Sequence, residues 1–358
     1  MRAGFPMARR PGVARAHRGR DREGFALVAA LWLLVALGSV GLQTALASRA
    51  RRQAAANLLD EVRARAAVLA GTEYARSRLT AAMLGQVEEL REDALSSARN
   101  SRDRRRVERS SVRSLFRRAN PLEDPWREPQ ALIVPEMVFG DARYALLLRD
   151  VGAALNLNDA SEEMLRLFFA QGMEVDYAEA DQLAQAILDW RDEDEIPRLN
   201  GGEREEYLED EALILPPNRD FVDIDELRHV RGMTPELFVR AAPHLTLIPD
   251  VDINLNSAPE PVLLALPGMD PGTAGEIIRL RDSGYLPRSD QELQYLVPSM
   301  GPILEMMGRD FTSRTTYTTD QVEILAQGWV DGGVVQVASR VVVRRGNTEA
   351  EVVWREVF

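Results

Sequence analysis

The densest group of side chains able to do chemistry lies between residues 189 and 207. Asp189-Trp190-Arg191-Asp192-Glu193-Asp194-Glu195 is followed by Asn200-Gly201-Gly202-Glu203 and then by Glu205, Glu206 and Tyr207. Asp189, Asp192 and Asp194 offer carboxylate oxygens, Asn200 and Gly201 supply a turn, and Glu203 closes the group. Hard oxygen donors in a flexible loop suit Ca²⁺, which takes about 6–8 of them at roughly 2.3–2.6 Å. The spacing is not that of an EF-hand. Like charges this dense repel unless a cation holds them. The same residues also describe a solvated acidic loop, and spacing alone leaves both readings open.

A second candidate is Leu266-Pro267-Gly268-Met269-Asp270-Pro271, followed by Ala274, Ile277, Ile278 and Arg281. It resembles a helix-hairpin-helix motif, whose DNA-binding members hold a phosphate on the amides of the hairpin and of the following helix N-terminus. The run from Ile253 to Leu293 also resembles competence-type DNA receptors. Asp270 stands where the DNA binders favour Gly, and its carboxylate, with Glu276 nearby, would repel a phosphate. The alternative function is therefore a membrane-anchored DNA receptor with a basic patch around Arg279, Arg281 and Arg288. The bland reading is a structural helix hairpin.

Other chemistry is thinly represented. There is no Cys, and His is limited to His17, His229 and His244. Disulfides, thiol catalysis and Cys-ligated metals are thereby excluded, and a His-based catalytic triad is disfavoured. No Walker loop or G-x-G-x-x-G is present, and no enzymatic activity is expected. The formal net charge of −12 argues against a surface that wraps nucleic acid.

These candidates sit inside a larger pattern. Asn156-Leu157-Asn158-Asp159-Ala160 reappears as Asn254-Leu255-Asn256-Ser257-Ala258, each copy followed by a helical apolar run. Two copies predict a duplicated helical unit over 156–311. Strand patterns flank it, with turns at Gly140-Asp141, Asp331-Gly332-Gly333 and Gly346-Asn347. The fold class is α+β, with one α/β core (129–155 and 312–358) interrupted by an all-α domain. Residues 86–128 are rich in charge, with SRDRRRVERSSVRSLFRR in the middle, and predict an exposed, partly helical linker. The basic run there could touch anionic lipid or nucleic acid but is ordinarily a solvated face.

The N-terminus differs in character from the rest. Residues 1–24 carry seven Arg against Asp21 and Glu23, and Met7 would serve as a start as well as Met1. Phe25 to Ser48 contains no charged residue. A stretch of about 20 apolar residues in a helix crosses a bilayer core. The Arg-rich leader is expected to remain cytoplasmic, despite Arg49, Arg51 and Arg52 beyond the span. The helical pattern continues through Leu58, Leu59, Val62, Ala66, Leu69, Ala70 and Tyr74, predicting one helix over 25–85 whose second half lies on a soluble core. A plain single-pass anchor, never processed, would show the same hydropathy.

A basic leader ending in Gly24, then Phe25 and an uncharged apolar helix, resembles a type IV prepilin signal. The resemblance implies cleavage between Gly24 and Phe25 by a prepilin peptidase and N-methylation of Phe25. Most pilins carry Glu at the fifth mature position, where this chain has Ala29. That Glu is thought to pair with a neighbour's N-terminal ammonium, which is costly to bury alone. Its absence resembles the K-type minor pseudopilins of type II secretion, and suits a subunit at a filament tip. DWRDEDE with RLNGGEREEY, FVDIDELRHVRGMTPELF, and the paired N-L-N motifs resemble the same family. The resemblance covers most of 24–358, with 86–120 fitting least well.

It implies a pilin-like long N-terminal helix on an antiparallel sheet, with an inserted all-α domain of helix-hairpin-helix, SAM-like character. It implies an inner-membrane protein with its bulk in the periplasm, and I- and J-type minor pseudopilins as partners. It also implies Ca²⁺ in the all-α domain. Asp189, Asp192, Asp194, Asn200 and Glu203 are its candidate ligands. No nucleic-acid partner is favoured.

Overall fold

The computed structural model describes the backbone of residues 20–358 and the side chains from Ala26 onward. Most of the expected leader (1–24) and the side chain of Phe25 lie outside the described residues.

The first helix, α1, spans Arg20–Ser96. In the unit formed by residues up to Asp60, every side chain from Ala26 to Ser48 is exposed. Among the described residues, this helix alone is long and apolar enough to cross a bilayer.

In the unit from Glu61 onward, α1 buries Ala64, Ala67, Val68, Ala75, Leu79, Met83 and Val87. That face differs from the expected one: Leu58, Leu59, Val62, Ala66 and Leu69 are all exposed. The first part of that face, from Ala64 to Ala75, is made of small residues because the sheet comes close. A Cβ on Gly328 would lie 2.5 Å from the Ala64 carbonyl oxygen, and one on Gly71 would lie 2.7 Å from the Tyr144 ring. Packing favoured side chains that permit this approach over larger ones.

The main sheet is built from β1 Glu136–Phe139, β2 Ala142–Asp150, β7 Gln321–Val330, β8 Gln336–Arg345 and β9 Ala350–Val357. The five strands are antiparallel and lie in the order β1-β2-β7-β8-β9. The hairpins turn at Gly140 (φ 61°) and Gly332 (φ 76°), where a left-handed backbone favours glycine. Along β2, Ala142, Tyr144, Leu146 and Leu148 alternate inward against α1.

Residues 86–128 are more than an exposed linker. They end α1 and form α2 (Ser101–Glu108) and α3 (Val112–Phe116). Val112, Phe116 and Trp126 are buried with the sheet and α1. The segment's few apolar residues are used for packing, which a composition average conceals. Several of its charges pair with residues outside it. Arg113 and Arg117 reach Asp320, Arg117 also reaches Asp252, and Asp124 meets Arg345.

Between β2 and β7 the chain is mainly helical, with its own core that includes Phe168, Phe169, Ile187, Trp190, Leu255 and Ile277. Two short parallel pairings are also present. β3 (Leu155–Asn156) pairs with β4 (Leu245–Thr246), and β5 (Ile253–Asn254) pairs with β6 (Thr315–Thr316).

Two helical stretches lie between the members of these pairs. The first contains α4 (Glu162–Leu167), α5 (Tyr177–Arg191), α6 (Arg204–Glu209) and α7 (Pro235–Ala241). The second contains α8 (Glu260–Leu263), α9 (Pro271–Asp282), α10 (Asp290–Leu296), α11 (Met300–Met307) and α12 (Arg309–Arg314).

The two stretches share a set of bonds at their N-L-N turns. Asn156 accepts from the Asn158 amide, as Asn254 does from Asn256. Arg191 at the end of α5 donates to the carbonyls of Leu157 and Ala160, and Arg281 on α9 donates to those of Leu255 and Ala258. Each Arg thus ties the last turn of its helix to the N-L-N turn that begins the stretch.

The end of β2 meets the second stretch at Asp150. Its buried carboxylate accepts from Asn254 (2.7 Å), Ser257 (2.6 Å) and Thr319 (3.0 Å). Burial nevertheless pushes its pKa up.

Candidate metal centre

The two stretches differ most after their Arg-bearing helix. The second has only a short turn from Ser283 to Ser289 before α10. The first has a long connection after Arg191, which contains α6 and reaches a 3-10 turn at Ile224–His229. The acidic candidates lie at the start of this addition.

Asp189 projects from the last turn of α5 and is completely buried. The following loop wraps around it. The amides of Arg198 (3.1 Å) and Gly202 (2.8 Å) donate to its Oδ2. A Cβ at Gly201 would fall 2.0 Å from that oxygen, so only glycine permits the wrap. Tyr207 and Phe221 pack on Trp190 with ring centroids at 5.8 and 6.1 Å, backing the site with an aromatic wall.

Asp189, Asp192 and Glu203 each offer an oxygen within 4.8 Å of the others. Glu203 is 2% exposed, and neither of its carboxylate oxygens has a hydrogen-bond partner; Oδ1 of Asp192 is buried and equally unpartnered. Arg198 supplies one positive charge, donating to Asp189 and, at 2.5 Å, to Asp192. One guanidinium among three carboxylates leaves Glu203 uncompensated. Its pKa is pushed up to about 8, first by burial and then by Asp189, Asp192, Glu195 and Asp194. Three converging carboxylates with orphaned oxygens fit a hard cation such as Ca²⁺.

Asp194 and Asn200 fall outside this triad. Both are exposed. Asp194 accepts from the Ile196 amide within its own turn, and the Asn200 side chain donates to Asp181. A local turn bond claims Asp194, and a bond across to α5 claims Asn200. The sequence reading missed Arg198, whose charge looks unremarkable until the loop folds back on α5.

The hairpin at Gly268 (φ 80°) leads into α9, and here the geometry decides against phosphate binding. Oδ1 of Asp270 accepts from the amides of Gly272 (2.8 Å) and Thr273 (3.1 Å), and Oδ2 accepts from the Thr273 hydroxyl. These bonds hold the Asp270 carboxyl below its ordinary range. The helix N-terminus is therefore already capped by an internal anion. Two of the three arginines of the expected basic patch are also engaged: Arg281 serves backbone carbonyls and Arg288 pairs with Glu292, leaving exposed Arg279.

A long N-terminal helix laid on an antiparallel sheet, with a helical region between two adjacent strands, defines a pilin-like fold. Comparison with known proteins narrows the class. Residues 148–250 match the family model described as type II secretion system protein K. The type II secretion system protein K of Pseudomonas aeruginosa is 27% identical over 182 residues, covering 47% of this chain and 53% of that protein. Those of Klebsiella pneumoniae and Dickeya chrysanthemi are 36% and 31% identical over 75 and 109 residues, covering 21% and 30% of this chain and 23% and 29% of theirs. The chain thus spans about half the length of the Pseudomonas relative and less of the others.

A chain of the solved GspK-GspI-GspJ complex from enterotoxigenic Escherichia coli shares the fold. Its TM-score is 0.50 at 19% identity, covering 76% of this chain and 94% of that one.

Proposed function

We propose that this protein is a K-type minor pseudopilin at the tip of the type II secretion pseudopilus. There it primes assembly of the filament that exports folded proteins across the outer membrane. The observation that carries this reading is the coincidence of two features in one chain. An apolar N-terminal helix continues onto an antiparallel sheet, and K-family sequence starts at the end of that sheet's second strand.

The helix anchors the protein in the inner membrane, with its bulk in the periplasm. A prepilin peptidase cleaves between Gly24 and Phe25, and the new N-terminus of Phe25 is methylated. Ala29 offers no carboxylate to a subunit beneath it, which suits the tip. The outward residues of α1, such as Val62 (57% exposed) and Leu69 (44% exposed), are free to pack on neighbouring helices. The role is structural, and I- and J-type minor pseudopilins are its partners.

Asp189, Asp192 and Glu203 would hold a Ca²⁺ ion. The ion would neutralise the uncompensated carboxylate and fasten the 192–203 loop to α5. With no cysteine available, this cross-link replaces a disulfide.

The test is co-assembly. The full chain, purified in detergent micelles, is mixed with the I- and J-type subunits of the same genome and followed by sedimentation. A stable complex of the three is expected. Three independently sedimenting species would contradict the proposal.

A further inference from the structure

We infer that α2 carries a docking surface for an acidic face of a neighbouring tip subunit. The surface is an arginine stripe formed by Arg102, Arg105, Arg106 and Arg109. The inference rests on the function proposed above and concerns the segment that least resembles the K family.

The stripe follows from helical spacing. Residues 102, 105, 106 and 109 stand at i, i+3, i+4 and i+7 and so share one face. Asn100 caps the helix, accepting from the amides of Arg102 and Asp103 at 2.9 Å each. Val107 points the other way and is buried. All four guanidinium-bearing residues are exposed, and among the described residues their side chains have no ion-pair or hydrogen-bond partner.

Like charges at this spacing oppose helix formation. The neighbouring helix shows what the fold does with arginines it needs: Arg113 and Arg117, in and just after α3, are both paired with Asp320. The α2 arginines stand unpaired in a chain of net charge −12. Charge complementarity therefore asks for an anionic partner.

Two such partners fit poorly. The apolar residues of α2 and α3, Val107, Val112, Leu115 and Phe116, are all buried, so beside the stripe these two helices leave none to insert into a lipid surface. Glu88, Glu89, Glu92 and Asp93 are exposed at the end of α1, just before the stripe. They would repel a continuous polyanion such as nucleic acid, whereas a protein surface can present both signs. The stripe also adjoins α1, whose outward face is the proposed packing surface for neighbouring subunits.

The experiment is the co-assembly assay with the full chain carrying Arg102→Gln, Arg105→Gln, Arg106→Gln and Arg109→Gln. At 50 mM NaCl the quadruple variant should bind the I- and J-type subunits at least ~10-fold more weakly, given the modest worth of each exposed pair. The difference should shrink at 300 mM NaCl, where screening is stronger. A matching quadruple Lys variant should restore binding, and the melting temperature should not change in either.

Wild-type affinity in the Gln variant would overturn the inference while leaving the pseudopilin reading intact. Failure of the wild-type chain to assemble would overturn both. Binding of duplex DNA or phosphatidylglycerol vesicles that depends on the stripe, with subunit binding unaffected, would also overturn it.

Discussion

Replacing Glu203 by Gln will abolish the stabilisation of this protein by Ca²⁺ and reduce the pH dependence of its ion-free form. In the fold, Glu203 binds its proton with a pKa pushed up to about 8. The unfolded chain releases that proton near the ordinary carboxylate value. The folded state therefore holds more protons between about 4.5 and 8, and stability falls as pH rises through that window. In EDTA the wild-type chain should lose on the order of 3 kcal/mol from pH 5 to pH 8, lowering Tm by roughly 5–10 °C. Millimolar Ca²⁺ should restore it at pH 8, because the ion replaces the proton. A side-chain amide at position 203 carries no charge to penalise, so the E203Q variant in EDTA should lose clearly less than the wild-type chain across this range, the buried Asp150 carboxyl, also pushed up, accounting for what remains. A thermal melt followed by circular dichroism reads each of these conditions. A Ca²⁺-dependent rise in Tm that survives E203Q would remove Glu203 from the site.

Truncating Asp124 to Ala should destabilise the sheet unit by about 3–5 kcal/mol, the usual cost of stranding one member of a buried ion pair. The Arg345 and Asp124 side chains are 0% and 2% exposed. Nη2 of Arg345 lies 2.5 and 2.7 Å from the two Asp124 oxygens, and Nε donates to the Thr319 carbonyl at 2.8 Å. The guanidinium sits over the rings of Phe116 (4.0 Å) and Trp126 (4.5 Å). Asp124 also accepts from the Trp126 amide at 2.8 Å. One pair thus fastens the 112–126 segment to β8. Removing the stranded charge as well, in Asp124→Ala with Arg345→Met, should recover part of the loss, since a methionine side chain can pack on both rings. Urea melts of the two single variants and the double variant give the coupling. A double variant whose loss equals the sum of the two single losses would show that the pair is not coupled.

Parts of this structure are legible from the residues alone. The uncharged run from Phe25 to Ser48, the Gly140-Asp141 turn and the twin N-L-N motifs are local signals, and each marks an element where it occurs. What escapes the sequence depends on distant partners. The buried face of α1 is chosen by how near Gly328 lets the sheet come, which the helix's own hydropathy does not encode. The charged segment reads as a linker because residues such as Trp126 and Phe116 are few, though both are completely buried. At the acidic loop, residue type identifies the chemistry, but only the fold separates Asp192 and Glu203 from Asp194 and Asn200. Asp270 is the reverse case: its identity alone argues against a phosphate, and the structure adds that it occupies the amides itself.

The central claim, that this is a processed pseudopilin, is met most directly by intact mass and N-terminal sequencing. The protein is extracted from membranes of cells with and without a co-expressed prepilin peptidase. The account predicts a peptidase-dependent mature chain that begins at N-methylated Phe25. A chain that keeps its leader in the presence of an active peptidase would contradict it.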